Sequence, residues 1–340
     1  MSDLLEMRKV SVTYDTYSGM VQSVRNISFC VKKGETVALV GESGCGKSVT
    51  AKSIMGLIKK PGKISKDSEI IFSGTNIQKF SKDQWRKFRG KECSMIFQDA
   101  LVSLNPTMKI GRQIIENLDN HAKELSKEEK EQKAIEMLTL TGIPDAKQCL
   151  MKYPHELSGG MRQRIMIAIA LITHPKLLIA DEPTTSLDVT IQAQILKQMK
   201  SLQKQLNMAI LLITHDLGIV ADIADKVIVM YAGRIVEEGE CREIFYRPVH
   251  PYTKALLESA PRLDQNGKQM LRAIEGSIPD MTNPPEGCAF CMRCPYAMEV
   301  CAAYIPEEKK ISESHRVSCW LMDKRAEREG TNNERSQKNL

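Results

Sequence analysis

One stretch decides the fold: Val37-Ala38-Leu39-Val40-Gly41-Glu42-Ser43-Gly44-Cys45-Gly46-Lys47-Ser48. An apolar strand runs here into a glycine loop with the spacing G-x-x-x-x-G-K-[ST]. The glycines let backbone N–H groups turn toward an anion, and the helix that begins near Lys47 adds the positive end of its dipole. In such a loop Lys47 reaches the β- and γ-phosphates, and the Ser48 hydroxyl binds Mg²⁺. The sequence therefore predicts a nucleotide-phosphate site formed by Gly41, Ser43, Gly44, Cys45, Gly46, Lys47, Ser48 and Val49.

Composition limits the class of protein. With 340 residues, of which 42% are hydrophobic, the chain is longer than one ordinary domain, and we expect an α/β domain with an appended region. No stretch has the uncharged apolar length of a membrane span, and the segment from Met1 to Lys9 is too charged for a signal peptide, so a cytoplasmic location is expected. The net charge of +6 is spread along the chain and does not indicate a nucleic-acid partner.

Other apolar runs also end in polar residues. Residues 177–182 form a run too continuous for a half-exposed strand, which indicates a central parallel strand. Strands are likewise predicted over residues 95–98 and 209–214. Ligands of parallel α/β sheets bind at the carboxyl ends of the strands. We therefore expect one shared site for the polar residues at these ends, which are Gln98, Asp181, Glu182 and His215.

A helical insertion separates two of these strands, at about residues 100–165. Helices are predicted over Ile110 to His121 and over Ser126 to Thr141, the second with a capping box of Ser126 and Glu129. The insertion ends where Ser158 can cap a helix that runs to His174. Because Ser158-Gly159-Gly160 begins this helix, it is a second candidate for anion binding.

The first 31 residues have a β-like pattern, and a further strand is predicted over Glu69 to Phe72. Tyr14 or Tyr17 could stack on a nucleotide base, although a tyrosine packed on a sheet edge fits the pattern equally well.

A hairpin of residues 227–231 and 234–237 is predicted to complete the core. We expect an ATPase-like domain over residues 1–245, an extension over 246–322 and a disordered tail over 323–340.

Taken together, the motifs resemble those of ATP-binding-cassette (ABC) ATPases. They occur in the family's order: the phosphate loop, Gln98, Leu157-Ser158-Gly159-Gly160-Met161, Asp181-Glu182, Ser186-Leu187-Asp188 and His215. The resemblance implies a RecA-like nucleotide-binding core with an antiparallel β subdomain and a helical subdomain. Met161 departs from the family pattern, which has glutamine at that position.

This resemblance also implies roles for individual residues. Lys47 and Ser48 hold phosphate and Mg²⁺, Asp181 supports the metal, and Gln98 senses the γ-phosphate and the metal. Glu182 acts as the general base and His215 orients the attacking water. In this family two cassettes enclose ATP between them. The residues with contacts to adenine or across that interface are Tyr14, Ser158, Gly159, Gly160 and Asp188.

Within the superfamily, the chain is most similar to ATPase subunits of oligopeptide, dipeptide and nickel importers. The similarity is carried by residues 98–106, by His250-Pro251-Tyr252-Thr253-Lys254 and by the cysteine-bearing segment after Gly287. It implies a peripheral ATPase at the cytoplasmic face of the membrane. Its partners are a second, nonidentical ATPase, two permease subunits and an extracytoplasmic solute-binding protein. The alternative is a soluble ABC ATPase without a transport role, which a long coiled-coil insertion or tandem cassettes would mark.

Half of the ten cysteines fall in the extension. Clustered thiols in a cytoplasmic protein indicate metal ligands rather than disulfides. The resemblance to peptide-importer ATPases selects Cys288, Cys294, Cys301 and Cys319 as ligands of a [4Fe-4S] cluster, with Cys291 as a substitute ligand or a free thiol. Zinc held by thiolates is the rival, and reduced packing cysteines are the alternative without metal.

Overall fold

The computed structural model describes residues 3–98, 103–184, 188–259 and 274–324. Its strands are β1 (Asp3–Thr16), β2 (Gly19–Lys32), β3 (Thr36–Val40), β4 (Gly62–Ile64), β5 (Glu69–Phe72), β6 (Thr75–Asn76), β7 (Cys93–Ile96), β8 (Leu177–Asp181), β9 (Ala209–Thr214), β10 (Lys226–Tyr231), β11 (Arg234–Glu240), β12 (Glu308–Lys310) and β13 (Arg316–Ser318). Its α-helices are α1 (Lys47–Ile54), α2 (Lys82–Lys87), α3 (Ile110–His121), α4 (Lys127–Leu140), α5 (Ala146–Cys149), α6 (Gly159–Leu171), α7 (Val189–Leu206), α8 (Leu217–Ile223), α9 (Cys241–Tyr246), α10 (Pro251–Ser259) and α11 (Glu299–Ala303).

The larger sheet has the strand order β12-β13-β11-β10-β3-β9-β8-β7. Its five strands from β10 to β7 run parallel, with Val40 opposite Thr214 and Asp181 opposite Ile213. Every residue of β3, β8 and β9 is buried, as the continuous apolar runs in the sequence predict. The parallel arrangement brings the carboxyl ends of these strands to one edge.

The second sheet is antiparallel and lies over the phosphate-loop side of the first. β1 pairs with β2, β4 and β5, and β6 pairs with β5. Apolar residues of β1 and β2, such as Val12 and Val24, share one core cluster with Leu39 of β3 and Ile54 of α1. The antiparallel subdomain of the sequence analysis is therefore present.

A second core cluster joins the helical region to the parallel sheet. It contains Ile114 of α3, Leu138 of α4, Ile167 of α6 and Leu212 of β9. The helix predicted over Ile110 to His121 is confirmed, and so is the capping box of Ser126 and Glu129.

The extension continues the larger sheet instead of standing apart from it. β13 pairs antiparallel with β11, and β12 pairs with β13. A third core cluster unites Tyr252 of α10 and Phe290 with Val40 and Tyr231 of the parallel strands. The three rings of Tyr231, Tyr252 and Phe290 have centroids 4.7–5.4 Å apart. The sequence predicted that the hairpin of β10 and β11 completes the core. The sheet instead continues beyond β11 into β13 and β12.

Two predicted boundaries are wrong. The strand predicted over residues 95–98 ends at Ile96, so Gln98 is exposed beyond it rather than buried within it. The helix that Ser158 caps ends at Leu171, not at His174, because His174 has a positive φ of 53°. The predicted turn residues Ser186 and Leu187, and residues 325–340 of the predicted tail, lie outside the described residues.

A stability prediction follows from His250, which is 1% exposed and precedes α10. Burial lowers the pKa of His250 to about 3, so the unfolded chain takes up a proton between pH 6.5 and 3 that the folded chain does not. The free energy of unfolding should therefore fall with acidification by up to about 1.4 kcal/mol per pH unit for this group.

His250→Asn tests this, because asparagine can replace the ring nitrogen Nδ1 that accepts the Tyr252 N–H at 3.0 Å. Denaturant unfolding between pH 7.5 and 5 should give a shallower pH slope for the variant than for the wild type. Equal slopes for wild type and His250→Asn would contradict the assignment.

Candidate functional site

The loop between β3 and α1 has the backbone geometry of a phosphate-binding loop. Gly41, Gly44 and Gly46 have φ values of 150°, 81° and 104°, a region that residues with a Cβ rarely adopt. A Cβ at Gly41 would also collide with the backbone oxygen of Met230, and one at Gly46 with that of Ser23. Gly41 and Gly46 therefore require glycine both for conformation and for space, and Gly44 requires it for conformation alone.

Lys47 begins α1 and is 6% exposed. Its ammonium group donates to the backbone oxygens of Gly41 at 2.7 Å and Glu42 at 2.9 Å, and lies 3.7 Å from Cys45 Sγ. The side chain thus folds back over the loop, with its charge held at the N-terminus of the helix. A buried cation at this place is suited to bind an anionic group of a ligand.

Ser48 and Asp181 meet where the phosphate loop faces the end of β8. The Ser48 hydroxyl donates to Asp181 Oδ1 at 3.0 Å. Burial raises the pKa of Asp181, which is 4% exposed, although the hydrogen bond from Ser48 opposes this shift. A hydroxyl beside a buried carboxylate is an oxygen set suited to Mg²⁺.

Glu182 lies next to this pair and connects two other strand ends. Its Oε2 accepts a hydrogen bond from Gln98 Nε2 at 2.7 Å, and its Oε1 lies 3.1 Å from His215 Nδ1. Its φ of 47° is uncommon for a residue with a side chain, and its backbone N–H is fixed by Ile213 O at 2.9 Å. The structure thus brings the four predicted strand-end residues together, with His215 60% exposed at the outer side.

Tyr14 lies on β1 of the antiparallel sheet, where this strand pairs with both β2 and β4. Its ring packs so closely on Gly62 that a Cβ there would collide with it. Burial raises the pKa of the Tyr14 hydroxyl, whereas Tyr17 is fully exposed. Of the two candidate tyrosines, Tyr14 is therefore the one with a fixed ring.

Ser158 and Asp188 are helix caps. Ser158 Oγ accepts the Met161 N–H at 3.3 Å, and Asp188 Oδ1 accepts the Ile191 N–H at 2.9 Å. The two helix starts are neighbours, since a Cβ on Gly160 would lie 3.2 Å from the Ile191 side chain. Within the described ranges, no hydrogen bond or ion pair joins Ser158, Gly159, Gly160 or Asp188 to the phosphate loop. The structure therefore does not bring this second anion-binding candidate into the site of Lys47.

Sequence reasoning missed two residues that contact the phosphate loop. Arg293 forms a two-pronged ion pair with the Glu42 carboxylate at 2.7 and 3.0 Å, and the Tyr252 hydroxyl accepts the Glu42 backbone N–H at 2.9 Å. Both residues belong to the extension and lie more than 200 residues after Glu42 in the chain. Glu42 occupies a variable position of the loop motif, so the motif carries no signal for these contacts.

The clustered cysteines lie near one another, but the metal prediction gains no support. Burial raises the pKa of Cys288 to about 12, and the neighbouring Cys301, Cys319 and Cys294 contribute to this shift. Burial also raises the pKa of Cys319 to about 11. Over the residues that the structure describes, no group of three or more His, Cys, Asp or Glu side chains is arranged to hold a metal ion. The side chains as placed therefore do not fit a cluster or a zinc ion.

Comparison with known proteins agrees with this geometry. The family model described as "ABC transporter" matches residues 24–185, and the one described as "Oligopeptide/dipeptide transporter, C-terminal region" matches residues 236–301. The chain is 53% identical to the oligopeptide transport ATP-binding protein OppD of Bacillus subtilis, over 94% of this chain and 89% of that protein. The chain belongs to the OppD/DppD family of ABC transporter ATP-binding proteins.

Other members of the OppD/DppD family and solved cassettes give the same result. The dipeptide transport ATP-binding protein DppD of Bacillus subtilis is 51% identical over 96% of this chain and 97% of its own length. A dimeric post-hydrolysis structure of the cassette MJ0796 with ADP and phosphate has a TM-score of 0.63 and 25% identity, covering 70% of this chain and 99% of that one. The fold is therefore that of an ATP-binding cassette, and the chain is an ABC-type ATPase. No helix among the described residues is long and apolar enough to cross a membrane.

The buried ammonium group of Lys47 leads to a binding prediction. Lys47→Ala removes the cation at the loop, and charge-assisted hydrogen bonds are worth about 1.5–3 kcal/mol. The Kd for MgATP should therefore rise about 10- to 100-fold. Equilibrium binding checks this, with the exposed Lys66→Ala as a matched control that keeps the wild-type Kd. Unchanged binding by Lys47→Ala would rule out this phosphate contact.

Proposed function

We propose that this chain is the ATP-hydrolysing subunit of an importer for dipeptides or oligopeptides. One observation carries the proposal: the match to the ABC transporter family over residues 24–185 is followed in the same chain by a match to the oligopeptide/dipeptide transporter C-terminal region over residues 236–301. Relatives at 53% and 51% identity over nearly the whole chain are named for oligopeptide and dipeptide transport.

In this proposal the phosphate loop binds the nucleotide. Backbone N–H groups from Gly41 to Val49 and the Lys47 ammonium group hold the phosphates. Ser48, Asp181 and Gln98 would hold Mg²⁺, which would neutralise charge on the phosphates, and Gln98 would also contact the γ-phosphate. The hydrogen bond between Ser48 and Asp181 supports this assignment, because it already places the two oxygens together. Tyr14 is proposed to stack on the adenine. Its ring, held against Gly62 in the antiparallel sheet, supports this assignment.

Hydrolysis is assigned to the Glu182 carboxylate. It accepts a proton from the attacking water, and His215 on its outer side orients the water toward the γ-phosphate. Gln98 Nε2 and His215 Nδ1 lie at the two oxygens of Glu182, so the carboxylate is oriented from both sides. This arrangement supports a positioned general base. Since Glu182 contacts two side chains that a γ-phosphate would attract, nucleotide binding can also change its orientation.

A second ATPase completes the site. Ser158, Gly159, Gly160 and Asp188 lie at two adjoining helix starts. In the part of the chain that the structure describes, they form no hydrogen bond or ion pair with this chain's own phosphate loop, which supports a role toward nucleotide held by a partner cassette. We assign the remaining partners as two permease subunits and an extracytoplasmic solute-binding protein, with the chain on the cytoplasmic face of the membrane. The second ATPase is proposed to be a different chain.

The importer proposal can be separated from a non-transport ABC ATPase by purification. A tagged chain expressed with its neighbouring genes should co-purify with two permease subunits from detergent-solubilised membranes. In vesicles that contain the complex, MgATP should drive uptake of labelled dipeptide or oligopeptide, and nickel uptake would favour the nickel alternative. Recovery from cytosol alone, without a permease, would refute the importer proposal.

The general-base assignment gives a second test. Glu182→Gln should keep MgATP binding within about threefold and lower the hydrolysis rate by about 100-fold or more, because a general base contributes about 10²- to 10⁴-fold. Single-turnover hydrolysis in the assembled complex measures this. Glu131→Gln, an exposed glutamate on α4, is the matched control and should hydrolyse like the wild type. Wild-type turnover by Glu182→Gln would show that another group accepts the proton.

The [4Fe-4S] prediction for Cys288, Cys294, Cys301 and Cys319 stays a prediction, with zinc as its rival. Since burial and mutual repulsion raise the thiol pKa values, metal binding there would release protons. Anaerobic purification followed by iron, sulfide and zinc assays tests it. Iron with sulfide supports the cluster, zinc without sulfide overturns it, and absence of both leaves packing cysteines. Cys30→Ser, outside the cluster, should leave the metal content unchanged.

A further inference from the structure

The residue Glu42 has an unusual set of contacts for the second position of a phosphate loop. Its carboxylate, its N–H and its carbonyl oxygen are all bonded. The carbonyl accepts from Lys47 Nζ at 2.9 Å and from the Cys45 N–H at 3.3 Å, within the loop. The carboxylate and the N–H bond to Arg293 and Tyr252 of the extension. Three of these five hydrogen bonds of Glu42 thus come from the extension, outside the nucleotide-binding core.

Arg293 is held as rigidly as Glu42. A guanidinium group has five N–H donors. In Arg293 they reach both Glu42 oxygens, the Tyr231 hydroxyl at 3.2 Å, the Ile274 oxygen at 3.0 Å and the Glu275 oxygen at 2.8 Å. The Arg293 side chain is 5% exposed, and the hydrogen bond with Glu42 raises its pKa above the ordinary value. Such a guanidinium has no freedom to follow a moving loop.

The surroundings make this contact stiff as well. Tyr231 ends β10, the strand beside β3, and its ring packs on those of Tyr252 and Phe290. The Arg293 guanidinium lies 5.7 Å from the centroid of the Tyr231 ring. Glu42, by comparison, is 26% exposed and lies on a loop rich in glycine. The rigid side of the pair is the extension, and the side that it restrains is the phosphate loop.

We propose that Arg293 is a positioning residue that holds the phosphate loop in its nucleotide-binding conformation through Glu42, with the Tyr252 hydroxyl as the second attachment. The inference rests on the proposed ATP site. A loop that is already in its bound conformation loses less entropy when the phosphates bind, so the attachment increases affinity without touching the nucleotide. It also makes ATP binding depend on the folding of the extension around Arg293.

The experiment is a double-mutant cycle on nucleotide binding. Arg293→Met and Glu42→Gln should each raise the Kd for MgATP about tenfold, as expected if the competent fraction of the loop falls to about a tenth. In the double variant the Kd for MgATP should also rise about tenfold and not about hundredfold, because both changes break the same interaction. Arg293→Lys, which keeps the charge, should recover part of the affinity. Arg316→Ala is the matched control, because this extension arginine pairs with the carboxylates of Glu238 and Glu308 on the same extension side of the sheet.

A second readout separates positioning from a general structural role. In the assembled complex the KM for ATP should rise about tenfold while kcat at saturating MgATP stays within about twofold, since the interaction is the same in the ground and transition states. Glu42→Gln is informative here, because it leaves Arg293 bonded to Tyr231, Ile274 and Glu275 and lies outside the cysteine segment. Tyr252→Phe should produce a smaller increase of the same kind.

Three outcomes would overturn the proposal. The first is unchanged Kd values for Arg293→Met and Glu42→Gln. The second is an Arg293→Met effect that keeps its full size in the Glu42→Gln background, so that the two effects multiply in the double variant. The third is no recovery of affinity in Arg293→Lys relative to Arg293→Met. A wild-type chain that failed to bind MgATP would instead refute the proposed function. A wild type that binds, together with variants that bind equally well, would refute only the role of Arg293.

Discussion

The parallel pairing of β3 with β9 and of β9 with β8 is the constraint on which the site depends. Because the three strands run in one direction and in fixed register, Gly41, Glu182 and His215 follow strand ends at the same edge of the sheet. The buried apolar runs supply the driving force, since each of these strands is covered on both faces. The polar groups that follow are then held close together at little cost in side-chain freedom. The geometry of this site is therefore a consequence of packing in the sheet, not of contacts among the polar residues alone.

Much of this could be predicted from sequence for a physical reason. Residues whose roles depend on nearby chain geometry, such as the glycines of the phosphate loop and Ser126 with Glu129, carry their signal in local spacing. The strand ends at Asp181 and Thr214 can be predicted from the sequence because polar residues follow long apolar runs. Gln98 was misplaced within a strand because Phe97 is apolar yet 42% exposed, so the pattern does not mark where β7 ends. Arg293 and Tyr252 had no local signal at all, since their partner Glu42 is more than 200 residues away.

For the clustered cysteines, local spacing predicted proximity but not the geometry of a metal site. Spacing and family resemblance grouped the cysteines, and the fold does place Cys288 near Cys294, Cys301 and Cys319, as their mutual effect on pKa requires. Proximity is nevertheless not coordination, because ligation requires thiolates at bonding geometry. Neutral buried thiols pack as small apolar groups, and in this state they have no reason to converge on a common centre. Sequence spacing thus predicted which cysteines lie close together, but it did not predict how their sulfur atoms are arranged.

The extension has little core of its own, and its stability must come from the cassette. Its short strands β12 and β13 gain their ladder from β11, and Tyr252 and Phe290 bury their rings against Tyr231 at the end of β10. The same surface of the cassette carries the phosphate loop one strand away. The extension packs on this surface and contacts the loop, and a charged residue buried at the contact is costly unless it is paired. The ion pair of Arg293 with Glu42 meets this requirement. Any change that loosens the extension therefore releases a restraint on the phosphate loop, even though the two regions are far apart in sequence.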